Sequence, residues 1–556
     1  MDEKRLIIAI VLSVLVFVVW QFFFVDDEAM KKSAQEQPTT PVIQEQPESE
    51  KPYVKEKQEP VPAEKSVTSV EDQRTRKIAK TITVDTPLFK IKISEKRAAF
   101  TSFVLKDYRE KAEKDAPLKE LITADFPLET VILGFTGNSI PDLENAVYST
   151  DPDRETFTVS ESDQELTFYW ESDSGIKIEK IFTFSPESYL IGLTVKIKNG
   201  SDQTIQDHLT LALRAITPKA KRMYGFEGPS ALIDNQLEEI KIDDIEEQST
   251  FSGNLKWIAI QDRYFLSSII AQNGGQASMK LTLQTNDIIE SQFVQPEKII
   301  RPGTQHQHDY YLFFGPKSMR IVNKVGHDLG KAVDFGWFDF IAKPCLWLMN
   351  FLHDFIPNYG LAIIILTIMI KVVLWPLGSK SYKSMSEMKK IQPLMKEIRE
   401  KHKDDKKKMN QEVMALYKTY KINPLGGCLP MVVQLPVFFA LYRMLYQAIE
   451  LRHAPFFFWI NDLSAPDRLF RFGFSIPFME PPYGIPVLTL VMGASMLLQQ
   501  KMSPPMGDPT QAKMMMLMPI VFTVIFINFS SGLVLYWLVN NILSIAQQYY
   551  IQRKYA

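Results

Sequence analysis

Cysteine is almost missing from this chain of 556 residues. Cys345 and Cys428 alone can build neither a disulfide framework nor a four-cysteine zinc site. Both lie in apolar stretches, where a thiol serves as a small hydrophobe. Charge of one sign is missing too. The net charge is −2, which argues against general nucleic-acid binding but says nothing about local charge. Histidine is sparse and scattered, and His306-Gln307-His308 has no further ligands at useful spacing. There is no G-x-x-x-x-G-K-[ST] phosphate loop, no G-x-S-x-G elbow and no H-E-x-x-H zinc helix. No catalytic residue, metal or cofactor is expected, and the chain does not read as an enzyme.

What is present is unevenly placed. The 46% hydrophobic and 23% charged content would suit a soluble protein, yet the apolar residues cluster in runs. Leu6 to Val25 has the length that spans a hydrocarbon core. It leaves through Phe24-Val25-Asp26-Asp27-Glu28, without the small-x-small pattern of a cleaved signal. It reads as an uncleaved anchor (1–25), with Lys4 and Arg5 holding its start in the cytoplasm. Residues 26–76 are rich in Glu, Gln, Lys and Pro and have little to bury, as in a disordered tether.

From 77 to 330 the period is two. Phe89, Ile91 and Ile93 alternate with polar residues, as do Leu166, Phe168 and Trp170, then Ile176, Ile178, Phe182 and Phe184, then Ile191, Leu193, Val195 and Ile197. Short alternating strands with turns such as Asn199-Gly200 predict an all-β, two-sheet sandwich, taken first as a scaffold. Residues 331–358 are apolar but interrupted by Asp339, Lys343, Pro344 and His353, as in an amphipathic interfacial helix. Five further spans are expected at Tyr359–Leu377, Pro424–Ile449, Gly484–Met502, Met514–Phe529 and Gly532–Ile551. The last two are joined by Ser530-Ser531 as a tight hairpin.

The chain therefore reads as a polytopic α-helical membrane protein of six transmembrane helices with a large all-β domain outside the membrane. Lysines set the orientation. Residues 378–423 hold thirteen Lys or Arg against six Asp or Glu, and Lys501, Lys513, Arg553 and Lys554 mark other inner ends. Both termini fall in the cytoplasm and the β domain in the periplasm of a Gram-negative cell.

None of the six spans contains His, Asp or Glu, so intramembrane proteolysis cannot be assembled. Lys371 stands about six residues, roughly 9 Å, from the inner end of its span. A lysine there either marks a functional cavity or snorkels to the headgroups. Thr367, one turn earlier on the same face, and Gln434, Asn540, Asn541, Gln547 and Gln548 in other spans favour a cavity. Without a carboxylate to neutralise it, the cation would be kept by water and amides in a wet groove that attracts acidic or polar segments.

Tyr382, Met385, Met388, Ile391, Met395 and Ile398 recur every three or four residues, and Met409, Val413, Leu416, Tyr417 and Tyr420 resume the pattern after Asp404-Asp405. This predicts two antiparallel amphipathic helices. Their outer faces carry Lys389, Lys390, Lys396, Arg399, Lys406, Lys407 and Lys408. The pair is either a solvated hairpin or a docking arm for ribosomal RNA or lipid headgroups.

These residues also carry a resemblance. Asn423-Pro424-Leu425-Gly426-Gly427-Cys428-Leu429-Pro430, then Gln434-Leu435-Pro436-Val437-Phe438, resembles the third span of the YidC/Oxa/Alb membrane insertases. Glu450-Leu451-Arg452-His453-Ala454-Pro455-Phe456, Met502-Ser503-Pro504 and Ser531-Gly532-Leu533-Val534-Leu535-Tyr536-Trp537 are similar to other motifs of that family. Anchor, tether and β domain resemble its Gram-negative form. The resemblance implies an ATP-independent insertase and chaperone for nascent inner-membrane proteins, with five core spans around a groove open to the cytoplasm and lipid. Its partners would be membrane lipids, the ribosome and the Sec translocon (SecYEG and SecDF). It places Lys371 where the family has an arginine, Thr367, Gln434, Asn540 and Asn541 in the groove, and Phe438, Tyr536 and Trp537 against substrate helices. The β domain is similar to carbohydrate-binding supersandwiches. A periplasmic glycan-binding protein stays open as an alternative, as does a secondary transporter, although no internal repeats or membrane carboxylates support the latter.

Overall fold

Strict alternation of apolar and polar side chains sets the first half of the molecule. In the computed structural model, which describes residues 79–123, 128–151, 154–217, 225–284, 287–403, 405–420, 429–503 and 509–555, Ile176–Phe184 buries Ile176, Ile178, Lys180, Phe182 and Phe184 on one face. The anchor at 1–25 and the tether at 26–76 lie outside the described residues, as do most of the Asn423–Pro430 motif and Pro504.

The described strands form two main sheets. Five strands run in the order Leu118–Ile122, Ala99–Arg109, Phe89–Ser94, Thr81–Asp85 and Thr156–Thr158. A sheet of twelve is centred on Thr250–Gln261, Phe265–Gln284, Gln305–Pro316, Leu190–Asn199, Ile176–Phe184 and Gln164–Glu171, all antiparallel to their neighbours. The sheets meet through aromatic rings. Phe100 packs on Phe182 at 5.3 Å between centroids, and Phe103 stacks on Phe314 at 5.0 Å. This is the expected two-sheet sandwich.

Nine α-helices follow among the described residues: α1 (Met319–Val325), α2 (Asp339–Phe355), α3 (Tyr359–Val373), α4 (Trp375–Lys401), α5 (Lys406–Thr419), α6 (Leu429–Gln447), α7 (Val487–Met502), α8 (Pro509–Phe526) and α9 (Ser531–Tyr555). In α2 the residues Ala342, Leu346, Met349 and Asn350 are buried, while Phe340, Trp347, Phe351 and Phe355 project from another face.

No single helix among the described residues is long and apolar enough to cross a membrane; α3 and α4 pass that test together, bent by 65°. The causes are local. Helix α3 has 15 residues and α7 has 16, and α9, with 25, carries Asn540, Asn541, Ser544, Gln547 and Gln548. The span drawn to Leu377 in fact ends at Val373. Pro376 has no N–H to donate to the Val372 carbonyl and its ring crowds that carbonyl, so α3 cannot run on, and α4 restarts at Trp375 with the proline in its first turn. Helix α4, and with it the α4–α5 hairpin, thus continues directly from α3 after the bend.

The β region is held to the helices at the last turn of α6 and just after it. Arg263 donates from Nε to the Tyr446 carbonyl at 2.6 Å and lies 3.6 Å from the centre of the Tyr446 ring, a cation–π contact. Arg452 donates to the Arg109 carbonyl at 2.6 Å.

Candidate functional site

Helix α9 organises the site because its polar residues recur at helical spacing. Asn540, Ser544 and Gln547 are four and three residues apart and therefore share a face. Lys371, in the last turn of α3, reaches across to that face. Its Nζ donates to Ser544 Oγ at 2.6 Å and lies 3.5 Å from Asn540 Oδ1. Gln434 of α6 donates from Nε2 to the same Asn540 oxygen at 3.1 Å and is in hydrogen-bonding contact with the Tyr536 hydroxyl. Three helices are thereby tied through one amide. Lys371 has no ion pair among the described residues, so hydroxyl and amide dipoles hold the cation.

The stripe continues toward the C-terminal end of α9. Gln547 donates to the Trp375 carbonyl at 3.0 Å and to Ser379 Oγ at 3.2 Å, at the root of α4. Gly378 makes this approach possible, since a Cβ there would stand 2.9 Å from Gln547 Nε2. The Tyr382 hydroxyl of α4 bonds to Ser544 and to Gln499 of α7. The root of the basic hairpin therefore touches the same serine as Lys371.

Two predicted residues stand apart from this cluster. Thr367 is buried and its hydroxyl donates to the Ile363 carbonyl of its own helix at 2.6 Å. Asn541, one residue round the helix from Asn540, turns to α7 and donates to Ser495 Oγ at 3.1 Å. The aromatic residues assemble beside the polar chain. Trp537 meets Phe438 edge-on at 4.6 Å and Phe526 at 4.7 Å, while Tyr536 is buried. Helices α6 and α9 are thus in aromatic contact.

In the hairpin, Met388, Ile391 and Met395 of α4 pack with Val413, Leu416 and Tyr417 of α5. That seam follows the predicted period. Lys389, Lys390, Lys396, Lys407 and Lys408 are exposed, Arg399 is half-buried beside Tyr417, and the Lys406 side chain lies outside the described residues.

The sequence reading missed Ser544 and Gln499, and it placed Tyr382 on the apolar stripe of the hairpin rather than beside the groove. The signal for Ser544 was its position four residues after Asn540. A serine inside an apolar helix is common enough to pass unremarked, because it can bond its own backbone, as Ser544 also does to the Asn540 carbonyl at 2.7 Å.

The family model described as YidC periplasmic domain matches residues 81–348, and that described as 60Kd inner membrane protein matches 351–556. The membrane protein insertase YidC of Syntrophus aciditrophicus is 40% identical over 99% of this chain and 100% of its own length. That of Syntrophobacter fumaroxidans is 38% identical over 99% and 100%. The crystal structure of an active YidC insertase covers 85% of this chain and 93% of its own, at 19% identity and a TM-score of 0.36.

Proposed function

The chain belongs to the YidC family of membrane protein insertases, and from that premise we propose that it inserts and helps fold inner-membrane proteins through a basic groove centred on Lys371. The observation that carries this reading is the ammonium held by Ser544 and Asn540, with Gln434 behind it. A cation solvated by neutral dipoles keeps its charge available to an incoming group. A carboxylate partner would have cancelled it.

The steps follow from this. A nascent segment meets the lysine-rich α4–α5 hairpin on the cytoplasmic side. Its polar or acidic flank enters the groove near Lys371, which shortens its path through hydrocarbon. Its apolar face leaves between α6 and α9, where Phe438 and Trp537 must part to let it pass. Transfer to lipid drives release, since each large apolar side chain fully removed from water contributes about 1.5–3 kcal/mol. No nucleotide and no covalent chemistry is required.

In this reading the chain crosses the inner membrane six times, with both termini cytoplasmic and the β domain periplasmic. Thr367 and Asn541 flank the groove, and Phe438, Tyr536 and Trp537 contact substrate helices. The ribosome, the Sec translocon and membrane lipids are its partners. The test is depletion of the protein followed by protease protection of newly made small inner-membrane proteins. Their outer tails should stay inaccessible from the periplasmic side. Unchanged translocation of those tails would contradict the proposal.

A further inference from the structure

The segment between α6 and α7 carries a set of aromatic side chains that the groove does not use. Phe458 is 92% exposed, Phe478 82%, Phe470 68% and Phe474 64%. Phe458, Phe470 and Phe478 also sit at φ of 62°, 54° and 62°, in the left-handed region where a bulky residue is strained. A phenylalanine is therefore both unfavourable in its backbone and unpacked in the molecule at three places in one loop. The loop's hydrogen bonds hold that backbone, and the rings are left facing outward.

This loop is not loosely hung. Arg468 donates from Nη1 to the Ile527 carbonyl and from Nε to the Pro482 carbonyl, each at 2.8 Å. Asn528 donates from Nδ2 to the Phe478 carbonyl at 3.0 Å and accepts from the Glu480 amide at 2.9 Å. The Ser531 amide donates to the Ala465 carbonyl and the Gly532 amide to the Leu463 carbonyl, each at 2.8 Å. Buried Asp467 accepts from the Trp459 indole and from the Leu488 amide at the start of α7. The loop is thus clamped to the turn between α8 and α9 and to the N-terminal end of α7. In the topology proposed above these are outer ends of membrane helices.

We propose that Phe458, Phe470, Phe474 and Phe478 form a lipid-binding platform that seats in the headgroup and upper acyl zone of the outer leaflet. This proposal rests on the membrane topology of the preceding section. The occupant is assigned by continuity. Ile485, at the foot of the loop, leads without a polar break to exposed Leu490, Val491 and Leu498 on α7, and α8 presents exposed Ile520, Val524 and Ile525. Exposed phenylalanines at the end of a lipid-facing apolar surface bury their rings at the headgroup–acyl boundary. Held rigidly by the clamp, the platform would fix the depth of the outer helix ends.

The test uses the full chain with Cys345 and Cys428 replaced by alanine, reconstituted in vesicles of phosphatidylethanolamine and phosphatidylglycerol. Single cysteines at Phe458→Cys, Phe470→Cys, Phe478→Cys, Val524→Cys and Ile299→Cys carry an environment-sensitive fluorophore. Ile299 is an exposed position of the β domain. We expect the three loop probes to be quenched by lipid bearing a nitroxide high on its acyl chain and shielded from aqueous iodide, with the reverse at Ile299. Iodide quenching at the loop with lipid quenching at Val524 overturns the platform alone. Iodide quenching at Val524 as well overturns the topology beneath it. Shielding that appears only at high protein-to-lipid ratio assigns the surface to a second copy and also overturns the proposal.

Discussion

The β domain and the helical domain each place one lysine inside, and they treat it differently. Lys180 is 0% exposed, and its Nζ donates to the carbonyls of Ala98, Val131 and Arg97 at 2.7, 3.0 and 3.2 Å. Those three residues all have positive φ, at 46°, 63° and 59°, so their carbonyls are turned inward by an unusual backbone. Lys371 is half-buried and held by side chains, Ser544 and Asn540, that can rotate away. Backbone acceptors fixed by a sandwich make a permanent site. Side-chain acceptors on a helix facing a groove make a cation that can exchange partners. The first arrangement suits architecture, the second suits a transient guest.

This contrast can be attacked from either side. The largest effect is expected at Lys180. Lys180→Met would leave three buried carbonyls without a donor, at about 1–3 kcal/mol each, partly offset by no longer burying a charge, for a net loss on the order of 3 kcal/mol. Pulse proteolysis of the full chain should register the loss in the β region while insertion by the folded fraction persists. Loss of insertion with the β region still folded would break the contrast. The same residue sets a pH dependence. Burial pulls the Lys180 ammonium down from 10.5 to about 7. Between these values the unfolded chain binds the proton more readily than the folded one. Stability therefore rises with pH across that window, and on acidification it falls from about 10.5 down to about 7 and then levels off, with a slope of at most about 1.4 kcal/mol per unit. The slope should flatten in Lys180→Met.

A smaller effect is expected at Ser544. Ser544→Ala removes one acceptor from Lys371 and one contact from Tyr382, a change of about 1 kcal/mol. Insertion should fall several-fold with no shift in the stability of the β region. A photocrosslinker at Tyr382 would sharpen the point. Its capture of nascent chains should drop in the same variant, and unchanged capture and insertion would separate the hairpin root from the groove.

How much of this was legible in the sequence differs between the same two lysines. Period-two alternation marked Ile178 and Phe182 as inward, but the lysine between them on that face went unread, and nothing local announces that Arg97, Ala98 and Val131 will turn carbonyls toward Lys180. Those acceptors come from strand ends 83, 82 and 49 residues away in the chain. Lys371 stood out because a charge inside an apolar run is costly wherever the run folds. Its amide partners were visible for the same reason, and Ser544 was not, because a hydroxyl costs little in a helix. The hairpin seam of Met388, Ile391 and Met395 followed from spacing alone, whereas the bend at Leu374 depended on how Pro376 would be accommodated.

The central claim is that the charge of Lys371, rather than its particular shape, receives the polar flank of a substrate. It is tested by insertion of a small single-span protein with an acidic outer tail into liposomes carrying the native chain, Lys371→Arg or Lys371→Ala. A hydrogen bond to a charged group contributes about 1.5–3 kcal/mol, so Lys371→Ala should lower insertion roughly tenfold or more. Lys371→Arg should retain it, and a neutral tail should narrow the gap. Equal insertion by all three chains would contradict the account and leave Lys371 as a lysine that merely reaches for the headgroups.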